Sequence, residues 1–302
     1  MLAQGISGTV QWTLEDDGTL YFVPVNGKEG TFEESKMLEF SDDWKGYEWN
    51  KYSKSIKEIK STGKINLAEN ASYMFYGCSS LISLKGLKDW DTTNAIDLSS
   101  MFDCCFHLVN LDDLKDWDTS NVKDLSNLFH FNQSLRNLHS LKTWNTQNVI
   151  NMNSMFSDCS SLTNLAGLKD WNTDNVLTMN FVFYNCSSLT NLDGIKKWDT
   201  SNVRSMSFMF SGCSSLTNLS GLKDWNTSNV VDMFYMFYHC SSLASIKELK
   251  DWDTSRVTTM EAMFGSCLSL TNLNGFQNWN IDKVIDRSSM FRRCPFFVVF
   301  NS

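Results

Sequence analysis

The stretch Trp198–Leu216, WDTSNVRSMSFMFSGCSSL, holds nearly every residue type that the chain repeats in register. Its Met209-Phe210 pair returns at a step of 27 residues, as Met-Phe at 74, 101, 155, 209, 236, 263 and 290, with Leu128-Phe129 and Val182-Phe183 supplying the two remaining steps. Counted from that pair, Cys stands at the fifth position, Leu at the eighth, eleventh and fourteenth, Trp at the seventeenth, Thr at the nineteenth and Val at the twenty-second. Eight full units fit between 74 and 289. Self-similarity at such a step means one structural unit per repeat, each closing its apolar side against its neighbours. The expected organisation is a solenoid, with 1–73 as N-terminal cap and 290–302 as a partial ninth unit.

Composition narrows the function. A chain of 302 residues has the length of two ordinary domains, but the unbroken period argues for one elongated body. The formal charge of -8, with 26 basic residues spread singly or in pairs, offers no basic stripe for a phosphate backbone, so nucleic acid is not an expected partner. The longest apolar run, Phe296–Phe300, is too short to span a bilayer. Met1–Val10 has neither the positive nor the apolar segment of a secretory leader. A surface or secreted protein of this kind would take its signal and anchor from outside this chain.

Nine cysteines would suggest disulfides in an exported chain, but their spacing argues otherwise. Cys78, Cys105, Cys159, Cys186, Cys213, Cys240, Cys267 and Cys294 all hold the fifth position and so form a column. Stacked coils hold such neighbours about 4.8 Å apart with parallel side chains, whereas a disulfide needs Cβ atoms about 3.8 Å apart and converging. The column is expected to be a ladder of small buried thiols that stay reduced. Asn132 stands in it, so sulfur is not demanded at every level, and Cys104 lies outside it. With no C-x-x-C pair and no His cluster beside the thiols, neither a metal nor another cofactor is expected.

Within the unit at Met209, residues Met206, Met209, Phe210 and Cys213 fall at i, i+3, i+4 and i+7, which predicts a short helical turn. Leu216, Leu219 and Leu222 then read as the inward residues of a short parallel strand and its bend. Gly86, Gly167, Gly194, Gly221 and Gly275 share a slot suited to a bulge or a left-handed residue. Asp113, Ser140 and Glu248 hold the same slot elsewhere, against a strict positive φ. The recurring Asp/Asn-Thr-x-Asn-Val phrase fits a tight corner. Its Thr column, Thr92 to Thr254, gives way to Ile281 and should face partly inward.

Residues 1–73 lack the period. Thr9–Leu14 and Thr19–Phe22 alternate around Asp16-Asp17-Gly18, which predicts a hairpin. An aromatic segment with Trp44, Tyr47, Trp49 and Tyr52 follows, and Ile65, Leu67 and Asn70–Tyr73 lead into Met74 as a half repeat. At the far end Phe296–Phe300 reads as a ninth strand with an open edge. The expected fold class is an α/β repeat solenoid: a leucine-rich-repeat-like, right-handed coil with short parallel strands and short helical turns, behind a β-rich cap.

The Trp198–Leu216 phrase resembles the repeat of BspA-like leucine-rich-repeat bacterial surface proteins, whose 26-residue unit is one residue shorter than this one. The resemblance covers 74–300, and the segments WTLEDDGTLYF and IKEIKSTGKINLAENASYMF resemble what precedes the repeats in that family. It implies a non-enzymatic cell-surface or secreted protein that adheres to a protein or glycan of host matrix, mucus or cells. No binding residue is shared across that family to carry over.

Residues repeated at every level are read as scaffold rather than chemistry, and His107, His130, His139 and His239 share no spacing. The Lys column from Lys88 to Lys250, beside acidic residues such as Asp89 and Asp224, reads as a solvated edge. The informative positions are departures from the frame. At the last repeat position most units carry Ser, Asn or Ala, yet three consecutive units carry Phe181, Phe208 and Tyr235, with Tyr184, Phe234 and Tyr238 beside them. Either these six rings make an exposed strip for a partner, or they pack over the helical turns as extra core. Two functions of different class follow: a surface interaction or adhesion module, or a structural spacer presenting another domain. No enzyme is expected.

One unit has too few apolar anchors to order itself without neighbours on both sides. A synthetic peptide of residues 209–235 is expected to be unfolded by circular dichroism, and ordered structure in the isolated peptide would contradict the shared-core argument.

Overall fold

The computed structural model describes residues 1–35 and 46–295. Trp44 and the apolar run Phe296–Phe300 lie outside the described residues. The first part of the chain holds six strands: β1 (Ala3–Ser7), β2 (Val10–Leu14), β3 (Thr19–Pro24), β4 (Glu29–Thr31), β5 (Glu58–Ser61) and β6 (Lys64–Asn66). β1, β2 and β3 pair antiparallel, with Leu14 opposite Leu20 at the Asp16–Gly18 turn, and β5 joins β3 in parallel. β4 and β6 form a separate parallel pair. Phe22, Phe32, Tyr47 and Trp49 close the space beneath, with Phe22 and Trp49 edge to face at 5.0 Å.

The repeats continue these strands. Single-residue parallel bridges join Glu58 to Ser83 and Asn66 to Asp91, and a third line runs Asn70, Asp97, Asp124, Asn151, Thr178, Ser205, Asp232, Thr259, Asp286. Each coil therefore lies directly on the next. Within a coil the inward residues are spaced by three because they close successive i→i−3 turns: Met209 N–H to Met206, Cys213 to Phe210, Leu216 to Cys213, Leu222 to Leu219, Trp225 to Leu222 and Val230 to Thr227.

The helical turn predicted at Met206–Cys213 does not form. Phe208 (φ 57°) and Gly212 (φ 77°) are left-handed, and L-residues visit that region singly, not in helices. The periodicity of side chains is the same for a string of turns and for a helix, so it could not tell them apart. Helical structure in the repeats appears instead as 3-10 turns of three to five residues, such as Ser220–Leu222 and His139–Thr143, where the bend after the strand was expected. At the repeat position of the parallel strand expected from Leu216, only the bridges from Glu58 to Ser83 and from Ser245 to Asn272 form; the bridge repeated from coil to coil lies elsewhere, at the residue before Met206, Met233 and their equivalents.

The glycine slot also has a different cause. Gly167, Gly194 and Gly221 do not have positive φ; a β-carbon there would run into the carbonyls of Leu138, Leu165 and Leu192 in the preceding coil. Only Gly275 in that column is left-handed, at φ 107°.

The left-handed residues organise the contact between coils. Met206, Phe208, Phe210 and Gly212 donate their N–H groups to Asp232, Phe234, Met236 and Tyr238 of the next coil at 2.8–3.0 Å. The N–H groups of Met209, Ser211 and Cys213 turn back to carbonyls of their own coil, at Met206, Phe208 and Phe210. This sorting satisfies both sets of groups. Sixteen non-glycine residues take φ of 47–65° to achieve it, each at a cost of about 1–2 kcal/mol.

Side chains add further ladders. Each column Trp from Trp117 to Trp279 donates its indole N–H to a Leu or Ile carbonyl of the preceding coil at 2.9–3.2 Å. The Thr column is buried, and its hydroxyls reach forward to the next coil, as Thr200 does to the Asn226 carbonyl at 2.8 Å. Ile281 breaks the column where the side chain is half-buried. Phe75 to Phe291 stack coil on coil with centroids 5.4–5.9 Å apart.

The carbonyls that the first coil turns toward the cap are met by donors there. Ser35 N–H reaches Asn70, Trp49 Nε1 reaches Met74 at 2.8 Å, and Asn50 Nδ2 reaches Tyr73, Met74 and Tyr76 at 3.2–3.4 Å.

The column cysteines are donors as well as fillers: Cys213 Sγ lies 3.2 Å from the Phe183 carbonyl, and the equivalents span 3.1–3.4 Å. Asn132 does the same work with Nδ2, 2.8 Å from the Phe102 carbonyl, while its Oδ1 is buried without a partner. Asn132→Cys should therefore leave stability unchanged or raise it by about 1 kcal/mol, whereas Asn132→Ala, which strands the Phe102 carbonyl, should cost about 1–3 kcal/mol. Urea unfolding midpoints check this, and equal damage from both substitutions would contradict the donor role.

Candidate functional site

The three left-handed aromatics stand on consecutive coils with their rings stacked: Phe181 to Phe208 at 4.6 Å and 11°, Phe208 to Tyr235 at 5.1 Å and 23°. Their φ values are 59°, 57° and 54°. The other three rings pack around them. Tyr184 is edge-on to Phe181 at 5.6 Å, Phe234 contacts Phe208 at 5.1 Å and Tyr235 at 4.4 Å, and Tyr238 lies 4.9 Å from Tyr235. All six residues are half-buried. The structure thus brings the six together as one continuous surface strip, each ring partly covered by its neighbours and partly open to solvent.

The frame explains why the strip lies outside the core. The backbone turns residues 181, 208 and 235 outward between inward Met179, Met206, Met233 and inward Phe183, Phe210, Phe237. Five other coils put Ser100, Asn127, Ser154, Ala262 and Ser289 at the same left-handed position, and Tyr73 holds it just ahead of the first full unit. Asn suits that conformation, and a bulky ring brings it no conformational benefit. Polar groups flank the strip: Tyr235 Oη lies 3.5 Å from Glu261 Oε1. Burial, and then the Glu261 carboxylate, raise the Tyr235 phenol above its ordinary value.

Sequence reasoning missed the hollow beside these rings. Tyr184 and Tyr238 hold the third repeat position two coils apart, and between them Ser211 and Gly212 leave a depression of about 250 Å³, also lined by Asn185, Ser214 and His239. The signal was a small residue between two large ones in one column. A second aromatic pair, Tyr73 and Tyr76 at 5.8 Å, lies on the first coil. The spacing of the histidines also concealed a contact: His130 Nδ1 is 3.0 Å from Asp103 Oδ1, and Nε2 is 3.7 Å from Asp158 Oδ2, on the coils before and after it.

Among the described residues, no group of three or more His, Cys, Asp or Glu is placed to hold a metal ion, and no helix is long and apolar enough to cross a membrane.

The DUF285 family, described as Mycoplasma protein of unknown function, matches four overlapping stretches of this chain: residues 48–164, 106–216, 162–246 and 188–299. Two solved structures are similar to it. One is a leucine-rich repeat protein from Eubacterium ventriosum ATCC 27560, at 14% identity over 99% of this chain and 97% of that one, with a TM-score of 0.39. The other is a leucine rich cell surface protein from Faecalibacterium prausnitzii A2-165, at 13% identity over 90% of this chain and 94% of that one, with a TM-score of 0.28. No curated protein matches the chain. The overlapping family matches agree with the repeat reading carried by Trp198–Leu216.

All nine cysteines are free thiols; Cys104 and Cys294 are half-buried and the other seven are buried. Burial pushes the Cys213 thiol up to about 12 and raises the other ladder thiols above their ordinary value. Burial, then the charge of Asp103, pushes Cys104 up to about 12 as well. Because the thiolate is the nucleophile, iodoacetamide on the folded protein should label only Cys104 and Cys294. Labelling of Cys104 should accelerate steadily as pH rises from neutral toward 10. Rapid modification of most thiols, or disulfides between neighbouring coils found by mass spectrometry, would contradict the buried ladder.

Proposed function

The chain belongs to the DUF285 family, and we propose that it is a non-enzymatic cell-surface or secreted interaction module. It adheres to a protein or glycan of host matrix, mucus or cells through the six-ring strip of Phe181, Tyr184, Phe208, Phe234, Tyr235 and Tyr238. The observation that carries this reading is the stack of the half-exposed rings of Phe181, Phe208 and Tyr235 on three successive coils, at a position where Ser, Asn or Ala stands in five others. Neither the core nor the backbone calls for a ring there. Aromatic side chains kept in register over three coils, at a position whose left-handed backbone every coil shares, point to a selected surface. Half-exposed aromatics are also the side chains that dominate interface energies, since they bury a large area at little entropic cost. Surface display rests on the resemblance of the repeat phrase to BspA-like proteins.

Replacement of Phe181, Phe208 and Tyr235 by Ser, the residue found at 100, 154 and 289, should leave the unfolding midpoint nearly unchanged. Binding to immobilised matrix proteins, mucin or epithelial cells should fall by about thirtyfold for each ring that anchors the partner, the equivalent of about 2 kcal/mol. A triple variant that unfolds would make the strip part of the core; one that folds and binds as before would put the site elsewhere.

A further inference from the structure

We propose that the strip is the platform of a neutral, linear glycan, with one sugar ring seated in the hollow between Tyr184 and Tyr238; this rests on the strip being the binding surface. The first argument is register. The rings of Phe181, Phe208 and Tyr235 advance by 4.6 and 5.1 Å. An extended peptide places like-facing side chains about 6.6 Å apart and single residues about 3.3 Å apart, so it falls out of step within two coils. The advance of one pyranose unit in a β-linked chain is close to one coil and stays in step along the strip.

The second argument is the chemistry of the hollow. Its seven lining residues are Tyr184, Asn185, Ser211, Gly212, Ser214, Tyr238 and His239. They combine two aromatic walls with amide, hydroxyl and imidazole groups and include no acidic, Lys or Arg side chain. A pyranose has the same division: C–H faces that pack on aromatic rings and a rim of hydroxyls that needs both donors and acceptors. The floor is bare backbone, because Gly212 is left-handed and a β-carbon there would run into Asn185 Oδ1. Asn185 gives its Nδ2 to Asp158 Oδ1 at 2.9 Å, which holds the carbonyl oxygen over that floor as an acceptor. Walls two coils apart, at about 4.8 Å per coil, leave room for a puckered ring with substituents rather than a flat one. The net charge of -8 disfavours a polyanion along the whole body.

The test is calorimetric titration of the full chain with cello- and chito-oligosaccharides of increasing length, with a sulfated dextran as the anionic comparison. Affinity should rise with length until the strip is spanned and then level off. Ser211→Tyr fills the hollow with the residue that other coils carry at 76, 184 and 238, and should weaken binding at least about tenfold with an unchanged unfolding midpoint. Tyr238→Ser, matching Ser157 and Ser211 in its column, removes one wall and should weaken binding similarly. No binding of any neutral oligosaccharide, binding indifferent to both substitutions, or preference for the sulfated chain would overturn the proposal. If attachment to cells resists periodate oxidation of their glycans yet is lost in the Phe181, Phe208, Tyr235 triple Ser variant, the glycan is wrong and the interaction surface stands. If attachment survives that triple variant, the strip itself is wrong.

Discussion

The alternation of backbone donors between coils is the constraint on which this molecule depends. A parallel stack buries one peptide layer against the next, and each buried N–H must find an acceptor. Here the N–H groups of Met206, Phe208, Phe210 and Gly212 go forward to the next coil, those of Met209 and Ser211 return to their own, and that of Ser207 is taken by the Asn180 side chain of the coil before. That division requires left-handed residues at two positions per coil, and the chain supplies them mostly without glycine. The conformational cost is offset because each forward bond is shared by two coils and repeated along the stack.

The side-chain columns follow from the same geometry. Carbonyls of the Phe and Leu columns accept a second donor from thirty residues later, and the identity of the columns records which donor fits: indole N–H for one, thiol or amide for the other. This is why Asn132 can replace Cys while an aliphatic residue never does. The cap obeys the rule in reverse. A first coil has no predecessor, so its carbonyls need donors from elsewhere, and Trp49, Asn50 and Ser35 provide them. The aromatic cluster around Phe22 and Trp49 holds those donors in place.

A frame this regular makes departures from it informative. Outward positions are free of packing demands, so a polar or small residue is the neutral choice there. Three successive rings at 181, 208 and 235, joined by Tyr184, Phe234 and Tyr238, do not follow from the needs of the stack. The same reasoning separates the hollow over Gly212 from the glycines at 167, 194 and 221, which close contact between coils fully explains.

From residue order alone, the 27-residue step, the inward columns, the buried unoxidised thiols and the six departing aromatics could all be named. These depend on side-chain identity and spacing, which a repeat prints many times over. The path of the backbone between the columns was not legible. A run such as Met206, Met209, Phe210, Cys213 has the spacing of a helix face, and only the next coil's carbonyls, far away in sequence, turn Phe208 and Gly212 left-handed and replace the helix by turns. The glycine slot was misread for the same reason, since what excludes a β-carbon at Gly221 is the Leu192 carbonyl of the coil before it. The hollow between Tyr184 and Tyr238 likewise exists only once coils are stacked. Local spacing determined which residues face inward; hydrogen bonding between coils, a tertiary interaction, decided the conformation that carries them.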